Sequence, residues 1–131
     1  MSKSVVLGNG NLAVGLDQFG QVYDLHFPYV GLENHVGGKY VHKIGMWVDG
    51  EFSWLDSGDW EISVSCNHQD PHHDRIYASN NMLGISIQFE DAVYNEKNIF
   101  IRNLSVTNNK EYERDVRIFF NQQFEIYESH R

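Results

Sequence analysis

Cysteine is nearly absent: Cys66 stands alone in a chain of 131 residues. That excludes an internal disulfide and fits a reducing compartment. Cys66 shares the alternating phase of Ile62 and Val64, so it reads as a small buried hydrophobe and not as a nucleophile. No G-x-S-x-G elbow supplies another nucleophile. Proline occurs twice, as Pro28 and Pro71. Cations are scarce, with 10 Lys and Arg against 18 Asp and Glu, giving a formal charge of −8 and a pI near 5.2. A surface without clustered Lys and Arg does not suit nucleic-acid phosphates or anionic membranes. Neutral ligands such as sugars remain open. No apolar run approaches the ~20 residues of a membrane helix, and Val5-Val6-Leu7 behind Met1-Ser2-Lys3-Ser4 falls short of a signal peptide's apolar region. A soluble, cytoplasmic protein is expected, in which the sequon Asn103-Leu104-Ser105 means little.

What the chain does have is apolar and aromatic residues, 41% and 14% of the sequence. This is enough for a real core in one domain, residues 1–131, since a chain of this size buries roughly two thirds of its unfolded surface. The apolar residues recur with a period of two. Leu12, Val14 and Leu16 alternate up to the turn Asp17-Gln18-Phe19-Gly20, and Val22 to Phe27 returns. Tyr40, His42, Ile44, Met46 and Val48 define the next strand. Asp49-Gly50 is a two-residue hairpin turn of the type that demands positive φ. It sets Trp47 opposite Phe52, Gly45 opposite Trp54 and Lys43 opposite Asp56, with both faces apolar and both expected to be covered. Trp60 to Cys66 alternates as a half-exposed strand. Ile76 to Ser79 and Met82 to Phe89 flank a turn at Asn80-Asn81. Asn98 to Asn108 and Glu113 to Tyr127 are expected to pair as a last hairpin, its second arm unusually long. No helical period appears, so the chain reads as an all-β antiparallel sandwich.

Three motifs invite chemistry. Gly8-Asn9-Gly10-Asn11-Leu12-Ala13 fits the dinucleotide fingerprint, but that fingerprint needs a following helix to hold pyrophosphate. Leu12 to Gln21 reads as a hairpin, so a glycine turn is the reading and no cofactor is expected. His68, His72 and His73, with Asp70 and Asp74, are the only metal-capable cluster; Pro71 among them argues for an extended solvated loop, with a metal site the lesser alternative. Trp47, Phe52 and Trp54 share one hairpin face and could stack on sugar rings, while sandwich cores and domain interfaces consume the same residues.

The most organised stretch runs from Gly8 to Gly38, GNGNLAVGLDQFGQVYDLHFPYVGLENHVGG. It resembles the amino-terminal sandwich domain of prokaryotic glucoamylases and their trehalase-like relatives, in glycoside hydrolase family fifteen. The resemblance continues through Leu83-Gly84-Ile85, Asp91-Ala92-Val93, Asn98-Ile99-Phe100-Ile101-Arg102, Val106-Thr107-Asn108 and Glu113-Arg114-Asp115-Val116-Arg117. It ends in Phe119 to Tyr127, and it is least diagnostic between Gly50 and Asn80.

The resemblance implies a galactose mutarotase-like double-sheet sandwich, of which this chain is expected to be a front portion. It also implies that the inverting carboxylates lie in a downstream helical barrel, so no catalytic residue is expected here. The expected partners are that barrel and, through it, α-linked glucosides. Tyr29, Glu33, Asn34 and His35 match the family motif and are the expected docking or pocket-lining contact, unless the loop's own backbone uses them. Two rival readings stand beside this one: a free-standing carbohydrate-binding module using Trp47, Phe52 and Trp54, and a mutarotase-type enzyme drawing on His35 and Glu33. An unpaired final strand predicts a homo-oligomer.

Overall fold

The computed structural model describes residues 5–28, 33–66 and 73–126. Within them the chain forms ten strands and no helix: β1 Val5–Gly8, β2 Ala13–Leu16, β3 Val22–His26, β4 Lys43–Val48, β5 Glu51–Trp54, β6 Glu61–Cys66, β7 His73–Asn80, β8 Ile85–Val93, β9 Phe100–Asn108 and β10 Val116–Asn121. They make three antiparallel sheets, ordered β1-β2-β3, β10-β4-β5 and β6-β7-β8-β9. The protein is an all-β sandwich. One apolar cluster lies between the sheets and takes Leu7, Val14 and Leu16 from the first, Ile44, Met46 and Val48 from the second, and Ile76, Ile85, Ile87 and Phe89 from the third.

Local chemistry accounts for the turns. Asn9 closes the β1–β2 connection by accepting the Asn11 and Leu12 amides on Oδ1, and β1 and β2 pair directly across it. The glycine run is therefore a turn between strands. Asp17 does the same at β2–β3, accepting the Phe19 and Gln21 amides, while Gly20 takes φ +73°. At Asp49 and Gly50 φ is +47° and +94°, and the register is the expected one, Trp47 to Phe52 and Gly45 to Trp54. The Lys43–Asp56 ion pair closes the open end at 3.3 Å.

Three expectations are corrected. The chain after β9 does not fold back as a hairpin: among the described residues β9 pairs with β8 alone, and β10 crosses to pair with β4. Arg114 directs the crossing by donating to the Leu83 and Gly84 carbonyls. Asp115 then exchanges bonds with Asp49 at the hairpin tip, its amide donating to Asp49 Oδ1 and its carbonyl accepting the Asp49 amide. Strand β10 stops at Asn121. Beyond it Gln123 and Glu125 bond to His42 and His35. The β7–β8 turn runs to Gly84, because Asn80 caps it by accepting the Leu83 amide on its side chain and the Gly84 amide on its carbonyl.

Candidate functional site

The loop after β3 carries the candidate residues Glu33, Asn34 and His35; Tyr29 lies outside the described residues. Asn34 is its staple. Its Oδ1 accepts the amides of Leu25, Val36 and Gly37, at 3.1, 3.1 and 2.7 Å, and its Nδ2 donates to Asp24 at 2.7 Å. A short polar side chain that satisfies several backbone donors fixes a loop that no strand ladder can hold. Glu33 is 3% exposed, and its carbonyl accepts the Phe27 amide. His35 ties down the segment after β10. Its carbonyl accepts the Glu125 amide, its Nδ1 lies 2.8 Å from the Glu125 carbonyl, and its Nε2 lies 2.7 Å from the Phe27 carbonyl. Carbonyl oxygens only accept, so a neutral ring makes one of these bonds and a doubly protonated ring makes both. Asn34 and His35 thus order the chain's own backbone, and their polar atoms already have internal partners.

The aromatic candidates behave differently. Trp60 is buried and donates its indole N–H to Ser53 Oγ. Trp47, Phe52 and Trp54 share the outward face of β4 and β5, and β10 adds Phe119, the cross-strand neighbour of Gly45. The expectation that both faces would be covered is corrected here, since Phe52 and Phe119 are 42% and 43% exposed. Phe52 meets Trp54 edge to face at 83° and Phe119 at 67°, with centroids 4.7 and 5.7 Å apart. The result is a ridged aromatic surface and not a flat row of rings. Arg117 covers Trp47 at 4.8 Å and Lys43 covers Trp54 at 4.9 Å. Each of these cations also pairs with a carboxylate, Asp115 and Asp56 respectively.

A third constellation was not anticipated as a site. Asp74, Asp91 and Arg102 are successive cross-strand neighbours on β7, β8 and β9. Arg102 donates from Nε and Nη2 to the two Asp91 oxygens, at 2.8 and 3.1 Å, and its guanidinium lies over the Phe89 ring at 4.7 Å. Asp74 and Asp91 are 6% and 1% exposed. Burial, then the hydrogen bond and the charge of Asp91, push the Asp74 carboxyl up to about 8. Asp74 so placed keeps its proton at neutral pH, while both Asp91 oxygens are engaged by Arg102. The signal was present in the sequence, as an aspartate in the same phase as Ile85, Ile87 and Phe89. His42 is also shifted; burial lowers it despite its bond to the Gln123 carbonyl, and Arg102 lowers it further.

His68 and His72 lie outside the described residues, as does the side chain of Cys66. Among the described residues no group of three His, Cys, Asp or Glu side chains converges to hold a metal. No helix among them is long and apolar enough to cross a membrane. The class defined by these features is an antiparallel β-sandwich with an uncovered aromatic sheet face. Comparison with known proteins finds no matching family model, curated protein or solved structure.

Proposed function

We propose that this chain is a non-catalytic amino-terminal β-sandwich of an α-glucoside hydrolase of the glucoamylase and trehalase-like kind, and that it scaffolds and docks a helical catalytic barrel. The observation that carries the docking role is the face of β10-β4-β5. A monomer gains nothing by leaving Phe52 and Phe119 exposed beside the half-buried Trp47 and Trp54, and an exposed aromatic patch of this kind marks an interaction site. Its ridges suit interdigitating protein side chains better than the flat face of a sugar ring, which disfavours a carbohydrate platform there. The family resemblance of Gly8 to Gly38 supplies the kind of partner. The loop residues Glu33, Asn34 and His35 then act by holding Phe27 and the segment after β10 at Glu125 in place.

An antibody raised against this chain tests the reading in the source cells. The expected species is much heavier than 15.2 kDa, and its immunoprecipitate releases glucose from maltose, isomaltose or trehalose. A species of 15.2 kDa with no such activity and no associated hydrolase would overturn it.

A further inference from the structure

The other exposed sheet face points to a ligand of its own. On the outside of β6-β7-β8-β9, one rung of the ladder runs Ser65, Arg75, Glu90, Asn103 and the next runs Ser63, Tyr77, Gln88, Ser105. The first rung lines a groove of about 580 Å³ together with His73, Ala92 and the buried acids Asp74 and Asp91, and Tyr77 stands on the next rung beside it. That volume lies within the ~300–1,000 Å³ of small-molecule sites. Arg75 and Glu90 are directly opposite each other. Yet Arg75 makes no ion pair or hydrogen bond with a described residue, and the only described partner of Glu90 is Gln88 Nε2 at a long 3.4 Å. An open donor fork and an open carboxylate therefore face the same space.

The chemistry of that space selects its occupant. Arg75 and Glu90, the exposed charges of this rung, sum to no net charge, and of the two buried acids beside them Asp91 is already ion-paired with Arg102. An anion entering the groove meets Glu90 and the overall charge of −8, whereas a cation meets Arg75. A neutral ligand with dense hydroxyls uses both, because each hydroxyl donates and accepts. Tyr77 adds the apolar element. Its hydroxyl donates to Ser86 Oγ at 3.1 Å, although Ser86 lies a rung away and is 6% exposed. A tyrosine whose hydroxyl reaches down to a buried neighbour lies along the sheet and turns a ring face outward, and Tyr77 is 47% exposed. It sits two residues from Arg75 on the same strand face, about 7 Å along the strand.

We propose that this outer face binds a neutral saccharide of one or two rings, one ring stacked on Tyr77 and its hydroxyls held between Arg75 and Glu90. The site is on a different sheet from the docking face and stands or falls without it. The test is amide-resolved NMR titration of the whole chain with maltose, trehalose, cellobiose and lactose, and separately with inorganic phosphate. At least one disaccharide is expected to produce saturable shifts at residues 63–65, 75–77, 88–90 and 103–105. Tyr77→Ala and Glu90→Gln, both at exposed positions, should each weaken that binding about tenfold while leaving the remaining spectrum in place. Absence of saturable shifts with all four sugars overturns the proposal, as do shifts confined to the Trp47 and Trp54 face. Phosphate displacing the sugar, or binding more tightly at these residues, overturns the neutral class.

Discussion

At the scale of single residues, Gly45 sets the geometry of the docking face. A Cβ there would stand 2.2 Å from Phe52 Cζ and 2.9 Å from both Phe52 Cε1 and Trp54 Cε3. Glycine is required because two rings pass over the strand at this point. In Gly45→Ala the Phe52 ring, being partly exposed, swings away, so the loss in chemical denaturation is expected at the low end of overpacking, about 1 kcal/mol. The displaced ring should weaken partner binding more than it weakens the fold, and an unchanged patch would contradict this. Asn34 tests a different cause. Asn34→Ala removes the acceptor of backbone amides and leaves them without partners, an effect of about 1–3 kcal/mol per buried donor, reduced where water can enter. A substantial fall in melting temperature is expected, together with loss of protection from hydrogen exchange at Leu25, Val36 and Gly37. Asn34→Asp keeps the acceptor but faces Asp24, and should rescue only in part.

At the scale of elements, the β7–β8–β9 ladder couples stability to pH. The folded state holds a proton on Asp74 that the unfolded chain has already released, because its carboxyl is raised to about 8. The stability from that proton is full below the ordinary carboxylate range and is lost as pH rises toward 8. The slope can reach about 1.4 kcal/mol per pH unit. His42 acts in the opposite sense. Its pKa is lowered by burial, so the unfolded chain takes up a proton first and stability present above the ordinary histidine range is lost as pH falls. Asp74→Asn keeps a hydrogen-bond donor toward Asp91 without a titrating group. Its denaturation midpoint should vary less than the wild type's between about pH 5 and about pH 8, with the His42 limb intact. A variant with the wild-type slope would remove Asp74 as the cause.

The elements also mark how far the sequence could be read. The β4–β5 hairpin was legible to the residue, including Lys43 with Asp56, because a two-residue turn fixes register by itself. The fate of β10 was not. Asn109, Lys110 and Glu111 have ordinary turn composition, so local chemistry suggested that β9 and β10 pair. What separates them is the long-range grip of Arg114 on Leu83 and Gly84 and of Asp49 on Asp115, which no local pattern encodes. The loop motif from Glu33 to His35 was visible as a motif, but its use was not, since the partner of His35 is Glu125, 90 positions away. The acid pair was hidden differently. Its phase announced burial of Asp91, yet only the pairing of β7 with β8 brings Asp74 beside it.

At the scale of the whole molecule, the sandwich is open along one side. β9 and β10 each pair with one neighbour, and among the described residues the second edge of each carries no strand. Leu104 and Val106 on β9 are 37% and 42% exposed, and Phe120 on β10 and Phe124 beyond it are 40% and 44% exposed. These are not outer-face residues: Leu104 and Val106 are the cross-strand partners of buried Phe89 and Ile87, and Phe120 is the partner of buried Ile44. They belong to the core's phase and meet solvent only because no further strand covers them. An apolar edge of this kind recruits another strand, either from additional chain in a longer sandwich or from a second copy. When these 131 residues are the whole of what is present, self-association is the expected outcome. Light scattering should give a mass above 15.2 kDa that rises with concentration. Phe120→Lys puts a charge at the mouth while leaving Ile44 and Met46 covered, and should return the chain to a monomer without lowering its melting temperature by much. A wild-type chain that stays monomeric at high concentration would show that the open side is stable in water, and the case for a covering strand would fail with it.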